Sequence, residues 1–263
     1  MKKWMAAALF TLIVFLSSLV QAEEAKPEKK WSDEAELSFV NTSGNSETTT
    51  LAAKNLMKYK FTEKLEGEWD AAALFSQSED ETTDETTGVT TQETNTTAER
   101  YSTNLRLSYL FTERFYSGLG AGWLRDELAG LKNKFYVGPY AGYKFLIGPK
   151  HLLKGELGLN YTNEDYTAAK EIEYEDKDFV EGRAFGLYEY LFTEKAKFSQ
   201  SLEYLYDFDE SDNYKVNSVS ALTVAVSDIF SVKTSYEIRY VNEVPDDIED
   251  TDRVLTVALV ANF

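Results

Sequence analysis

The sequence predicts an all-β transmembrane barrel of the outer-membrane type. It would have about 12 antiparallel strands, short periplasmic turns and longer acidic extracellular loops. Three observations predict this. Segments of alternating apolar and polar residues repeat from one end of the chain to the other. The connections between them alternate between tight and long. Aromatic residues gather at both ends of the segments, and the last segment ends on Phe263.

The chain opens with a leader. Lys2 and Lys3 precede an apolar run, Met5 to Val20, and Val20-Gln21-Ala22 has the small-x-small form of a cleavage site. The run is short for a membrane anchor and a polar stretch follows it directly. Residues 1–22 therefore read as a secretory signal cleaved after Ala22, residues 23–30 as a short polar periplasmic lead, and 31–263 as one barrel domain.

Within that domain the alternating segments run roughly 31–42, 47–61, 65–77, 98–111, 114–126, 133–145, 152–163, 178–192, 196–208, 214–226, 230–241 and 251–263. In the second, Leu51, Ala53, Met57 and Tyr59 share one face, opposite Lys54, Lys58 and Lys60. The fourth sets Tyr101, Leu105 and Leu107 against Arg100 and Arg106, and the eighth sets Val180, Ala184 and Tyr188 against Glu181, Arg183 and Glu189. A soluble sandwich can alternate in the same way with its apolar face inward, so alternation alone does not decide. The loops and aromatics do. Phe61-Thr62-Glu63-Lys64, Phe111-Thr112-Glu113-Arg114 and Phe192-Thr193-Glu194-Lys195 are near-identical turns, and all follow even segments. Longer connections, 78–97, 127–132, 164–177 and 242–250, follow odd ones. Phe263 closes an apolar face with Val257, Leu259 and Ala261, and resembles the C-terminal signal read by the barrel-assembly machinery.

This parity makes Leu105, Leu157 and Leu222 lipid-facing, with Ser220 read as inward. The lumen would be lined by Lys54, Lys58, Arg100, Arg106, Glu156, Glu181, Arg183, Glu189, Glu203, Glu237 and Arg239. Their charges nearly cancel, which fits either an ion path or a salt-bridged interior that fills itself. The chain has 45 acidic and 27 basic residues, a net charge of −18; losing Lys2 and Lys3 makes it −20. Nucleic acid is an unsuitable partner for such a chain. The acids concentrate in four long-side connections, 78–97, 164–177, 209–213 and 242–250. Glu79, Asp80, Glu81, Asp84 and Glu85 are candidates for an acidic outer vestibule. Stretch 78–97, nearly all polar, reads as a mobile loop.

Little chemistry is available. The chain has no cysteine, and its one histidine, His151, falls at a short turn. A Ser-His-Asp triad or a zinc site is therefore not expected, nor any cofactor. Asp207, Asp209 and Asp212 lack the pattern of a dedicated calcium loop, leaving diffuse divalent cations at the acidic loops as the expected metal partners. Gly118, Gly120 and Gly122 alternate along the fifth segment and would clear space for a large residue such as Tyr140.

Ser43-Gly44-Asn45-Ser46 before a long amphipathic strand, Ala98-Glu99-Arg100-Tyr101, Tyr109 to Arg114, Ala141 to Phe145, and Ser235 to Tyr240 through Val244-Pro245 to Thr251-Asp252 together resemble an outer-membrane family. It is the family known as domain of unknown function 481, also called YdiY-like or salt-induced outer-membrane proteins. The resemblance covers essentially the whole chain after the leader. It implies a Gram-negative outer-membrane barrel in contact with outer-membrane lipid, and it carries no catalytic residue over. The expected function is a passive small-solute or ion pore with a cation-attracting mouth. The alternative is a plugged structural or salt- and osmotic-stress envelope protein without channel activity. An integral hydrolase is disfavoured by the histidine count.

Overall fold

A computed structural model describes residues 29–42, 47–83, 90–127, 130–166, 176–242 and 250–263. The leader, with Ala22, and the segment 43–46 lie outside the described residues, as do Asp84 and Glu85. Residues from Trp31 on form one unit. Its strands are β1 (Trp31–Thr42), β2 (Glu47–Lys60), β3 (Leu65–Thr83), β4 (Thr90–Leu110), β5 (Phe115–Asp126), β6 (Leu131–Ile147), β7 (His151–Tyr166), β8 (Lys177–Thr193), β9 (Ala196–Asp207), β10 (Tyr214–Ala225), β11 (Phe230–Val241) and β12 (Thr251–Asn262). Each pairs antiparallel with its neighbours in sequence, and β12 pairs with β1, closing the ring. The protein is a 12-stranded outer-membrane-type β-barrel, as the alternation and loop pattern predict.

Every second residue points outward, and the outer surface these residues make is apolar. Leu157, Leu105 and Leu119 are 70%, 60% and 60% exposed there. The tight turns explain their repeated sequence. The Thr62 hydroxyl accepts hydrogen bonds from the amides of Lys64 and Leu65, and the Thr112 hydroxyl accepts from Arg114 and Phe115. Ser227 does the same with Ile229 and Phe230, and Thr193 accepts from the amide of Lys195. The hydroxyl fixes the reversal, so each of these turns carries Ser or Thr at that place. The aromatic residue before each Thr packs edge-on against another two places earlier. These pairs are Tyr59–Phe61, Tyr109–Phe111 and Tyr190–Phe192, with centroids 5.0, 4.9 and 4.8 Å apart. They form the girdle of the short-turn rim.

Three expectations are corrected. Stretch 78–97 is not a loop throughout. Glu79 to Thr83 pair with Thr90 to Thr94, so β3 and β4 extend as a ribbon past their neighbours. Thr-rich sequence satisfies its backbone by pairing there. Glu79, Asp80 and Glu81 thus belong to a strand. Glu164 likewise is not a loop acid. It lies in β7 and its side chain is wholly buried inside the barrel. Finally, Ser220 faces outward. A period of two puts it on the same face as Leu222, and its hydroxyl bonds Gln200 on the outward face of β9.

Candidate functional site

Among the described residues the fold brings the predicted polar residues together in the lumen, which fills unevenly. Along β5 and β6, glycine makes room for tyrosine. A Cβ on Gly118 would lie 2.8 Å from the Tyr140 hydroxyl, and one on Gly122 or Gly142 would collide with Tyr136 or Tyr116. The three tyrosines lie flat over these glycines. Tyr140 and Ser108 share a hydrogen bond of 2.6 Å, and Tyr136 bonds Asn104.

Two buried carboxylates organise the space beside them. Glu156 of β7 has a fully buried side chain. One oxygen accepts from Arg106 at 2.8 Å and Arg183 at 3.0 Å. The other accepts from the Tyr116 hydroxyl at 2.7 Å and Lys154 at 3.4 Å. Higher on the same strand, Glu164 accepts from Lys215 at 2.8 Å and the Tyr166 hydroxyl at 2.6 Å, with Lys134 at 2.9 Å. Lys134 also donates to Glu181 at 2.8 Å, and Arg183 donates to Glu203 at 2.6 Å. Arg106 stacks over Tyr140, 4.2 Å from its ring centre. A charge taken this far from water persists only with such a full set of partners.

The opposite inner wall is different. Lys54 and Lys58 on β2 are 44% and 43% exposed although both face inward. Their partners are single and looser: Glu237 at 3.9 Å and Glu68 at 3.3 Å. Water therefore reaches this side of the lumen.

Near the long-loop rim a chain of charges crosses the ring. Arg100 donates to Asp126 at 2.8 Å, Asp126 lies 3.7 Å from Arg239, and Arg239 lies 3.4 Å from Glu237. Strands β5 and β11 stand six places apart in either direction around the ring. Twelve strands about 4.8 Å apart and tilted about 40° would enclose a circle roughly 24 Å across. An Arg and an Asp together do not span that distance, so the ring is flattened at this level.

All eleven predicted lumen residues face inward and each has an ionic partner. Sequence reasoning missed Lys134, Glu164, Lys215, Asp126 and Tyr116. The parity of their strands points all five inward, and carrying it to the strand ends would have found them. Asp207, weighed as a cation ligand, accepts from the amides of Asp209 and Glu210 and from Asn213, and so caps its own turn. Among the described residues no cluster of His, Asp and Glu is arranged to hold a metal. His151 meets the Tyr188 hydroxyl at 2.8 Å on the outer face of the short-turn rim.

A family model described as protein of unknown function, DUF481, matches residues 35–263. The chain belongs to that family. It is 25% identical over 241 residues to the uncharacterized protein YdiY of Escherichia coli strain K12, covering 91% of this chain and 86% of that one. Among solved structures, it is similar to an outer-membrane channel from Pseudomonas putida F1. The two are 13% identical with a TM-score of 0.54, and the match covers 93% of this chain and all of that one. A looser likeness, with a TM-score of 0.44 and 10% identity over 89% of this chain and 98% of the other, is to the KdgM porin. The DUF481 barrel thus shares its fold with the Pseudomonas putida channel.

Proposed function

We propose that this barrel is a passive, narrow passage for water and small ions in a Gram-negative outer membrane, running off-axis beside β1, β2 and β3. One observation carries the reading: inward lysines on β2 are more than two-fifths exposed, while inward carboxylates on β7 are wholly buried. The tight turns face the periplasm and the long connections face outward, as the loop asymmetry of such barrels implies. The chain is exported by a signal cleaved after Ala22, is inserted by the barrel-assembly machinery reading Phe263, and is solvated by outer-membrane lipid. No catalysis belongs to this reading, because the one histidine is engaged with Tyr188 outside the lumen.

The long-loop rim is acidic, with Asp209, Asp212 and Asp250 next to the mouth and Glu79, Asp80 and Glu81 on the β3–β4 ribbon. A mouth of one sign concentrates cations, and diffuse divalent ions would gather there. Exposed charge is screened over about 10 Å at roughly 0.1 M salt and over about 3 Å near 1 M. Cation preference is therefore expected at low salt and should fade at high salt. Replacing Glu79, Asp80, Glu81, Asp84, Glu85, Asp209 and Asp212 by amides should shrink the low-salt preference and leave high-salt conductance nearly unchanged. Reversal potentials in planar bilayers at two salt levels test this, and anion preference would refute it.

A second reading, a self-filled structural or osmotic-stress barrel, is favoured by the charge chain across the ring. Arg239→Gln separates the two. A small conductance that grows on this substitution supports the passage. Silence in both proteins supports the structural barrel.

A further inference from the structure

The ring is not closed along its whole seam. The ladder between β1 and β12 covers Glu34–Leu37 against Leu259–Asn262, extended at the short-turn rim by two backbone hydrogen bonds between Asp33 and Phe263. It stops there. Ser38 to Thr42 remain paired with β2, and Thr251 to Ala258 remain paired with β11. Between these two stretches no register is made, whereas every other pair of neighbours is laddered along most of its length. In hydrocarbon an unpaired strand edge has no water to bond, so barrels ordinarily close completely.

The walls of this gap are apolar outside and mixed inside. Phe39, Leu255 and Val257 are strongly exposed on the outside. Inside, Val40, Ala52 and Val254 alternate with Ser38, Thr50 and Thr256, next to the buried Ala258. Lys54 stands where the ladder ends, because it pairs in register with Glu36. Its ammonium lies 3.9 Å from Glu237 and faces the wetter side of the lumen.

We infer that the upper seam between β1 and β12 is a lateral portal. Through it an anionic single-chain amphiphile passes between the bilayer and the lumen, its acyl chain against Val40, Ala52 and Val254 and its head on Lys54. The unpaired amides and carbonyls are then served by lumen water and by the head group. The inference shares Lys54 and the wet side of the lumen with the passage proposed above, but it does not require ions to cross the barrel.

The ladder, if continued, would set Phe39 opposite Val257. A Phe39→Cys, Val257→Cys protein, bridged by a short bifunctional methanethiosulfonate, therefore locks the gap. Folding is checked by heat-modifiable gel mobility before and after bridging. The probe is palmitic acid bearing a diazirine, photolysed with the barrel in lipid nanodiscs, and the labelled residues are mapped by mass spectrometry. In the unbridged protein, label is expected on Val40, Ala52 or Val254. Bridging should reduce that inner label at least tenfold, and thiol reduction should restore it. Lys54→Gln should weaken inner labelling by palmitate while sparing labelling by a diazirine alkane. Inner label that is absent, or indifferent to the bridge, overturns the portal, as does bridging that yields only dimers. Conductance is recorded on the same samples. A portal leaves it unchanged by the bridge, so failure of the axial passage and failure of the portal read out separately.

Discussion

The two halves of the lumen hold the same kinds of residue in different states. Beside β5 to β8, Glu156 has four donors and no contact with water. On β3, Glu68 has Lys58 at 3.3 Å, and both remain partly in water. The difference lies in the neighbours. Glycines on β5 and β6 let three tyrosines fold over the wall and exclude solvent, and that exclusion makes the surrounding charges depend on one another. On β2 and β3 no glycine–tyrosine layer forms, and the same ion pair is a surface pair that happens to face inward. An ion pair's contribution here depends on what packs around it more than on its length.

The comparison can be broken most sharply at Glu156. Glu156→Ala strands three cations in a dry site and should destabilise the barrel by about 3–5 kcal/mol in a lipid-refolding titration. Glu68→Ala should cost no more than about 1 kcal/mol. Equal losses would mean that the two halves are equally wet. Leu157, the next residue along, faces lipid, and Arg there should cost roughly 2–4 kcal/mol near the midplane. Ser220→Arg is expected to behave like Leu222→Arg, since the two share a face. A clearly milder Ser220 variant would return that residue to the lumen. Gly122→Ala pushes Tyr136 off the β5 wall and should cost about 1–3 kcal/mol. It should also speed solvent exchange at neighbouring inward groups, measurable by hydrogen exchange. The smallest effect is expected at the turns: Thr112→Val removes the hydroxyl that bonds Arg114 and Phe115, for about 0.5–1.5 kcal/mol.

The strands were legible in the sequence because a membrane barrel writes its two faces in alternate residues and its turns in repeated Thr. The inward set followed from the same parity. What alternation cannot show is depth. Glu164 and Lys215 stand near strand ends, where sequence alone does not separate a loop from a lumen, and only the pairing of β7 with β6 and β8 carries the strand far enough to bury Glu164. The β3–β4 ribbon was hidden for the opposite reason: a Thr-, Ser- and acid-rich stretch has the composition of a loop and pairs through its backbone. The flattening of the ring was beyond reach, since Asp126 and Arg239 meet through the shape of the whole sheet rather than any local pattern. Ser220 was misread against the period itself.

The pair that crosses the ring also has a history in time. Arg239 reaches Asp126 only after β11 has come round to stand opposite β5, when nearly all of the chain is in place. Interactions absent from the folding transition state leave the folding rate alone and act on the rate of escape. The contact between Arg239 and Asp126 is thus a late fastening. Its loss should shorten the lifetime of the inserted barrel while assembly proceeds at the same pace.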